Sequence, residues 1–151
     1  MQISENGFIF SDQKELLQVE SIHLYLSKES YWAKNISLEI VQRSIENSLC
    51  FGIYKNHKQV GFARWVTDKA TFGWLCDVYI ATAYRGLGLS KKLMAFMIFH
   101  PDLQGLRRYQ FATLDAHSLY EQFGFKSLEN PDRQMGIVVS NLYQKTDTDM
   151  D

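Results

Sequence analysis

A strand, a glycine turn and a helix follow one another in the middle of this 151-residue chain, and no other feature constrains its fold as strongly. An apolar run ends at Ile80, Gly86 and Gly88 follow, and apolar residues then recur through residues 93–98. The apolar spacing after the turn is typical of a buried helix rather than of a strand face. Such a turn presents free backbone N–H groups at the positive end of a helix dipole, where a phosphate or diphosphate can bind. Glycine allows the φ angles and the close approach that this ligand requires.

Glycine spacing alone fits more than one kind of turn. A dinucleotide-binding turn would need a third glycine and an acidic residue about 20 residues downstream. Position 91 is Lys91 instead, and Asp102 follows a proline rather than a second strand. A P-loop would need Gly-Lys-Ser or Gly-Lys-Thr after a four-residue gap, and the sequence does not contain it.

The third kind of turn fits best. Residues 85–90, Arg-Gly-Leu-Gly-Leu-Ser, resemble the acyl-CoA-binding turn of the GNAT N-acetyltransferases, whose pattern is Arg/Gln-x-x-Gly-x-Gly/Ala. Ser90 replaces the last small residue of that pattern, so the position stays small. A second block typical of the family, Leu-Tyr-Glu-Gln-Phe-Gly-Phe, occupies residues 119–125. The resemblance covers roughly residues 49–139.

The resemblance implies a mixed α/β fold, in which helices cover both faces of a mostly antiparallel sheet and one parallel pair of strands splays apart. It also implies acetyl-CoA as co-substrate. The diphosphate would bind backbone N–H groups of the turn, and the pantetheine arm would pair with the backbone of the preceding strand. The cofactor-binding residues expected on this basis are Val78, Tyr79, Ile80, Arg85, Gly86, Leu87, Gly88, Leu89, Ser90 and Lys91.

Two residues are candidates for the chemistry. Tyr120 lies where many GNAT enzymes place a tyrosine that protonates the departing thiolate, although it could simply pack beside the cofactor. Asp77 is a lone carboxylate within an apolar strand, and burying it without a partner would cost several kcal/mol. It could attract the amine, act as a base directly or through water, or pair with an arginine such as Arg64.

The resemblance also implies that the acceptor site lies beneath the loop between the first two helices. Tyr31 and Trp32 lie in that loop, where their amphipathic rings could bind substrate or pack the helices together. We therefore expect an N-acetyltransferase that uses direct attack by a primary amine of a small molecule. A peptide or protein amine is the alternative acceptor. A non-catalytic acyl-CoA-binding sensor and, more remotely, a nucleotide-binding fold are the alternatives from other classes.

Length and composition limit the expected number of domains, the partners and the cellular compartment. The length fits one domain, expected over residues 1–144, with a charged tail at residues 145–151. The net charge of −1 gives no reason to expect nucleic acid or a membrane as a partner. We expect a cytoplasmic protein with two reduced cysteines, Cys50 and Cys76, no metal site and, as in many GNAT proteins, a possible homodimer.

Several element boundaries follow from the local pattern. Strict alternation over residues 71–80 would place Leu75, Asp77 and Tyr79 on one face of the central strand. A strand is predicted over 108–113, and a helix over 116–122 that ends at Gly124. Residues 125–128 and 135–139 are predicted as closing strands.

Overall fold

The computed structural model describes residues 1–144, and within them it contains six strands and four α-helices. The predicted tail at 145–151 lies outside the described residues. The strands are β1 (Gln2–Glu5), β2 (Phe8–Ser11), β3 (Leu49–Lys55), β4 (Lys58–Thr67), β5 (Phe72–Ile80) and β6 (Arg108–Gln110). The helices are α1 (Val19–Leu24), α2 (Leu38–Glu46), α3 (Leu89–Ile98) and α4 (His117–Glu121).

The six strands form one sheet in sequence order. All neighbouring strands are antiparallel except β5 and β6, which are parallel. Tight turns close the hairpins where short polar residues adopt positive φ, as at Asn56 (φ 49°) and His57 (φ 64°) between β3 and β4. The mixed α/β class predicted from the sequence, with its single parallel pair, is confirmed.

Two apolar cores lie on opposite faces of the sheet. On one face, Leu93 and Met97 of α3 pack with Trp65 of β4. On the other face, Ile22 of α1 and Val41 of α2 pack against the sheet. The central strands are therefore covered on both sides, which explains why β5 is apolar on both faces.

Strict alternation fails in the second half of β5. Cys76 pairs with Arg64 and Tyr79 pairs with Phe62, so two residues of β5, Asp77 and Val78, oppose the single residue between them on β4. This is a β-bulge, and Asp77 adopts the left-handed conformation there (φ 54°). The prediction that Leu75 and Tyr79 share a face is wrong, because the extra residue places Leu75 in the α3 core and Tyr79 in the α1–α2 core.

Strands β5 and β6 pair only at their beginnings. The register joins Phe72 to Arg108, Gly73 to Tyr109 and Trp74 to Gln110, and the strands then diverge. The strand predicted over 108–113 is therefore too long, because residues 111–113 have moved away from β5 and lack its ladder hydrogen bonds. This divergence opens a cleft beside the second half of β5.

The C-terminal part departs furthest from the sequence prediction. The helix α4 is shorter than predicted, and Gly124 follows it with φ 93°. Neither 125–128 nor 135–139 forms a strand, since neither pairs with a strand edge of the same chain. Among residues 1–144, no helix has both the length and the apolar character needed to cross a membrane.

Candidate active site

The cleft between the diverging strands is continuous with the glycine turn. One part of it, of about 510 Å³, is lined by β5 from Trp74 to Val78, by residues 111–116 and by Tyr120. A neighbouring part, of about 660 Å³, extends from Val78 along the turn to Lys91. Six residues line both parts and mark the junction: Tyr31, Trp32, Val78, Asp115, Ala116 and Tyr120.

The glycine turn has the geometry of an anion site. Gly86 (φ 80°) and Gly88 (φ 75°) are left-handed, and an added Cβ at either residue would meet no atom within 4 Å. The need for glycine is therefore conformational, and the space around both residues is open to a ligand. Gly88 is also the N-cap of α3 and no side chain caps the helix, which leaves the first-turn N–H groups of a ten-residue helix free.

Arg85 fixes the turn to the rest of the molecule. Its Nε donates a hydrogen bond to the carbonyl oxygen of Ile80 (3.1 Å), and its Nη2 donates one to the hydroxyl of Tyr25 (3.1 Å). These two bonds give Arg85 a role in ordering the loop. Tyr25 in turn stacks on Tyr79 at a centroid distance of 3.9 Å, so the end of β5 and the turn are braced together.

The residues present fit coenzyme A. The open glycine cradle would hold the diphosphate, with Ser90 and Lys91 beside it. Beyond Trp74 the edge of β5 that faces the cleft has no strand partner among residues 1–144, so its peptide groups are available to a pantetheine arm. Every predicted cofactor-binding residue lines the cleft except Leu87, whose side chain lies outside it and is exposed.

Tyr120 stands where the two parts of the cleft meet. Its ring packs against Phe111 (centroid distance 4.1 Å) and Phe125, and only 7% of the residue is exposed. Burial raises the pKa of Tyr120 above its ordinary value. The hydroxyl therefore stays protonated at neutral pH and is able to donate a proton into the cleft.

Asp77 is bound on both carboxylate oxygens. Its Oδ2 accepts a hydrogen bond from Nε of Arg64 (2.9 Å), and its Oδ1 accepts one from Nε1 of Trp32 (2.8 Å). Burial lowers the pKa of Arg64, but the adjacent Asp77 carboxylate raises it, and the net shift is upward. The arginine pair that the sequence left open is thus present. Each carboxylate oxygen still has a lone pair with which to accept a further hydrogen bond.

The bulge explains why this carboxylate faces the cleft. A strand residue in the left-handed region turns its peptide plane, and aspartate tolerates that region better than most residues. Asp77 consequently lies near the loop that follows α1, and Trp32 reaches it from there. Tyr31 packs edge-on against Trp32 at 5.0 Å. The predicted acceptor residues Tyr31, Trp32 and Asp77 are therefore brought together.

Two residues of the site were missed by the sequence interpretation. Tyr25 holds Arg85, and Thr113 lies at the cleft, where its Oγ1 accepts a hydrogen bond from Ala116 N (3.1 Å). Neither belongs to a short motif, because each is brought to the cleft by a different element, so no local signal in the sequence points to either one.

Cys76 lies in the wall of the cleft, yet its thiol is not activated. Burial raises its pKa to about 12, and the positive charge of Arg64 only partly opposes this. A thiol protonated at neutral pH is a poor nucleophile. Among residues 1–144, no cluster of three or more His, Cys, Asp or Glu side chains could hold a metal ion.

The chain is similar to known proteins both in sequence and in structure. Residues 46–127 match the family model described as an acetyltransferase (GNAT) domain. A Gibberella zeae protein named as a candidate acetyltransferase is 29% identical over 91% of this chain and 89% of its own length. The crystal structure of a Xanthomonas campestris protein, described as a candidate GNAT acetyltransferase, is 44% identical, with a TM-score of 0.91 over 94% of this chain and all of its own.

A more distant structure shares the fold alone. A Clostridium acetobutylicum protein described as an acetyltransferase, and solved with acetyl-CoA, is 14% identical to this chain. Its TM-score is 0.64 over 94% of this chain and 97% of its own.

Proposed function

Because the chain belongs to the GNAT acetyltransferase family, we propose that it transfers the acetyl group of acetyl-CoA to a primary amine of a small molecule. One observation supports this most: the glycine turn, the unpaired edge of β5 and Tyr120 line a single continuous cleft. Coenzyme A supplies an activated thioester when it is bound. The rest of the chemistry depends on how this chain positions groups around that thioester.

The transfer takes place by direct attack. The amine nitrogen forms a bond to the thioester carbonyl carbon, and the carbon–sulfur bond then breaks. Peptide N–H groups near Val78 stabilise the charge that develops on the carbonyl oxygen. Tyr120 donates its proton to the departing thiolate and regains one from solvent, and water takes up the proton that the nitrogen loses after it has attacked. The thiol pKa of Cys76 makes an acetyl-cysteine intermediate unfavourable, so the amine attacks the thioester itself.

Asp77 positions the acceptor. An alkylamine has a pKa near 10, so it reaches the site mainly as an ammonium ion and must lose a proton before attack. The free lone pairs of Asp77 accept hydrogen bonds from that ammonium or from a water molecule that takes up its proton. Because Arg64 and Trp32 already hold both oxygens, direct abstraction by the carboxylate is the less favourable route.

The wall of the acceptor part indicates the kind of amine. Its lining is rich in aromatic and aliphatic side chains, and among residues 1–144 no lysine or arginine lines it. Its carboxylates are Asp77 and Asp115. Such a wall favours an amine that carries an apolar or aromatic group, and it gives no counter-ion to a phosphate or carboxylate on the acceptor.

A turnover screen tests the proposal. Acetyl-CoA is incubated with panels of arylalkylamines, alkylamines, amino acids and phosphorylated amino sugars, and free thiol release is followed. We expect turnover with the apolar amines above all. Calorimetry with coenzyme A is run in parallel, so that binding without turnover of any amine would identify a sensor rather than an enzyme. Absence of coenzyme A binding would overturn the proposal altogether.

A further inference from the structure

The acceptor part of the cleft contains two carboxylates in different surroundings. Asp77 forms an ion pair with Arg64 (2.9 Å), and only 10% of its side chain is exposed. Asp115 is exposed and, among residues 1–144, has no ion-pair partner. An ion pair acts on its surroundings as a dipole, whose field falls off faster than that of a single charge. The net negative charge of the acceptor part therefore comes from Asp115.

Asp115 lies at the junction of the two parts of the cleft. It lines both of them, as Tyr120 does. Thr113 Oγ1 accepts a hydrogen bond from Ala116 N (3.1 Å), and the carbonyl oxygen of Ala116 accepts one from Leu119 N (3.1 Å) in α4. These bonds join the turn that carries Asp115 to the helix that carries Tyr120. The carboxylate is thus held where the cofactor part and the acceptor part meet.

The rest of the acceptor wall also favours a positive charge. Aromatic rings line it, among them those of Tyr31, Trp32, Trp74 and Phe111. The face of an aromatic ring attracts a cation, above all where water is partly excluded. Among residues 1–144 no lysine or arginine lines this part, so no such side chain in its wall repels an ammonium group.

We propose that Asp115 selects the acceptor by its charge. Its carboxylate binds the ammonium group of the arriving amine and favours it over a neutral or anionic molecule of the same shape. Asp77, whose charge is balanced by Arg64, then accepts a hydrogen bond from the same nitrogen and orients it. The inference rests on the proposed acetyl transfer for the position of the acceptor, but the charge selection itself can be measured without turnover.

Calorimetry with two ligands of the same shape tests the proposal. Phenethylamine carries a positive charge at neutral pH and phenethyl alcohol carries none. Each is titrated into the full chain saturated with coenzyme A. The wild type should bind the amine about tenfold more tightly than the alcohol, since a hydrogen bond to a charged group contributes about that factor. In Asp115→Asn the preference should disappear, whereas Asp115→Glu keeps the charge and should retain most of it.

Glu121→Gln is the matched control. Glu121 is also an exposed carboxylate and lies on α4, but it lines a neighbouring groove along residues 109–113 and not the acceptor part. The substitution removes the same charge from the protein and should leave the preference unchanged. Raising sodium chloride from about 50 to about 500 mM should lower the preference of the wild type, because salt screens an exposed charge, and should have no effect in Asp115→Asn.

The outcomes separate this inference from the acetyl transfer itself. A preference for the amine that persists in Asp115→Asn would overturn the inference, as would a wild type that binds the two ligands equally or binds neither. With acetyl-CoA, the KM for the amine should rise about tenfold in Asp115→Asn, with a much smaller change in kcat. A wild type that prefers the amine but transfers no acetyl group would contradict the proposed function and still support charge selection by Asp115.

Discussion

The two halves of the cleft are built by different means. The cofactor half consists of backbone: two left-handed glycines, the N-terminus of α3 and the unpaired edge of β5. The acceptor half consists of side chains that come from the loop after α1, from β5 and from the residues after β6. A backbone site needs a particular local conformation, whereas a side-chain site needs the whole topology. Substitutions should therefore separate the halves, and the predictions below test that separation.

The largest effect is expected at the junction of the halves. Tyr120→Phe removes the proton donor, so kcat should fall by about 100-fold while the affinity for coenzyme A stays the same, since general acid catalysis contributes about that much. Steady-state kinetics and calorimetry measure the two quantities.

Tyr54→Phe is the matched control for that hydroxyl deletion. The Tyr54 hydroxyl is buried and, within the described part of the chain, has no hydrogen-bond partner. Its removal should leave kcat unchanged and raise stability by about 1 kcal/mol, because an unsatisfied buried group is removed. Equal losses of kcat in both variants would contradict a role for Tyr120 in proton donation.

Asp77→Asn acts on the acceptor half. The substitution leaves the guanidinium of Arg64 without a counter-ion. Because only 16% of the Arg64 side chain is exposed, the free energy of unfolding should fall by about 2 kcal/mol. Turnover should fall about 30-fold, which corresponds to a similar free energy. Thermal denaturation and kinetics are measured together.

The double variant Asp77→Asn with Arg64→Met separates structure from chemistry. Without the unpaired guanidinium, the double variant should regain most of the lost stability but none of the turnover. Recovery of both would show that Asp77 only balances the charge of Arg64.

Gly88→Ala acts on the cofactor half. An alanine in the left-handed region costs about 1 kcal/mol of stability, and its Cβ would occupy the cradle. Coenzyme A affinity should therefore fall about tenfold. Gly105→Ala is the control, since Gly105 has nearly the same φ (73°) and equally open surroundings. It should lose the same stability and no affinity, and equal losses of affinity would argue against the turn as the diphosphate site.

Trp32→Phe should give a smaller effect, confined to the acceptor. It removes the indole N–H that Asp77 accepts, and a hydrogen bond of this kind contributes about 1 kcal/mol. The KM for the amine should rise about fivefold. A matching change in coenzyme A affinity would mean that the halves are not separate.

The smallest effect is expected at Cys76→Ala. Its pKa of about 12 leaves almost no thiolate at neutral pH, so kcat should change by less than about twofold. Mass spectrometry of the wild type after mixing with acetyl-CoA should detect no acetyl-enzyme. A stable acetyl adduct on Cys76, or a loss of turnover in the variant, would contradict direct attack.

The same contrast explains what the sequence could predict. The turn from Arg85 to Lys91 could be predicted because adjacent residues determine both the local φ preferences and the chemistry of the helix end. The acceptor half was predicted only in part, since Tyr31 and Trp32 could be placed in a loop but their contact with Asp77 depends on the bulge. Alternation could not reveal this bulge. Both faces of β5 are apolar, so the apolar pattern looks the same with or without one extra residue.

The closing strands were mispredicted for another reason. Residues 125–128 and 135–139 have the composition of strands, but a strand forms only where an edge is within reach. Composition reports the preference of a segment and not the location of its partner. The length of β6 was overestimated in the same way, because residues 111–113 line a cleft instead of continuing the ladder.

The divergence of β5 from β6 also affects how substrates enter the cleft and how products leave it. The cleft runs from the glycine turn at one end to Trp74 and Leu114 at the other. Its two parts meet at Tyr31, Trp32, Val78, Asp115, Ala116 and Tyr120. Under the proposed chemistry, coenzyme A enters the cleft from the end at the glycine turn, and the amine enters from the opposite end. Each product can then leave from the end at which its precursor entered, so that free coenzyme A and the acetylated amine leave independently of each other.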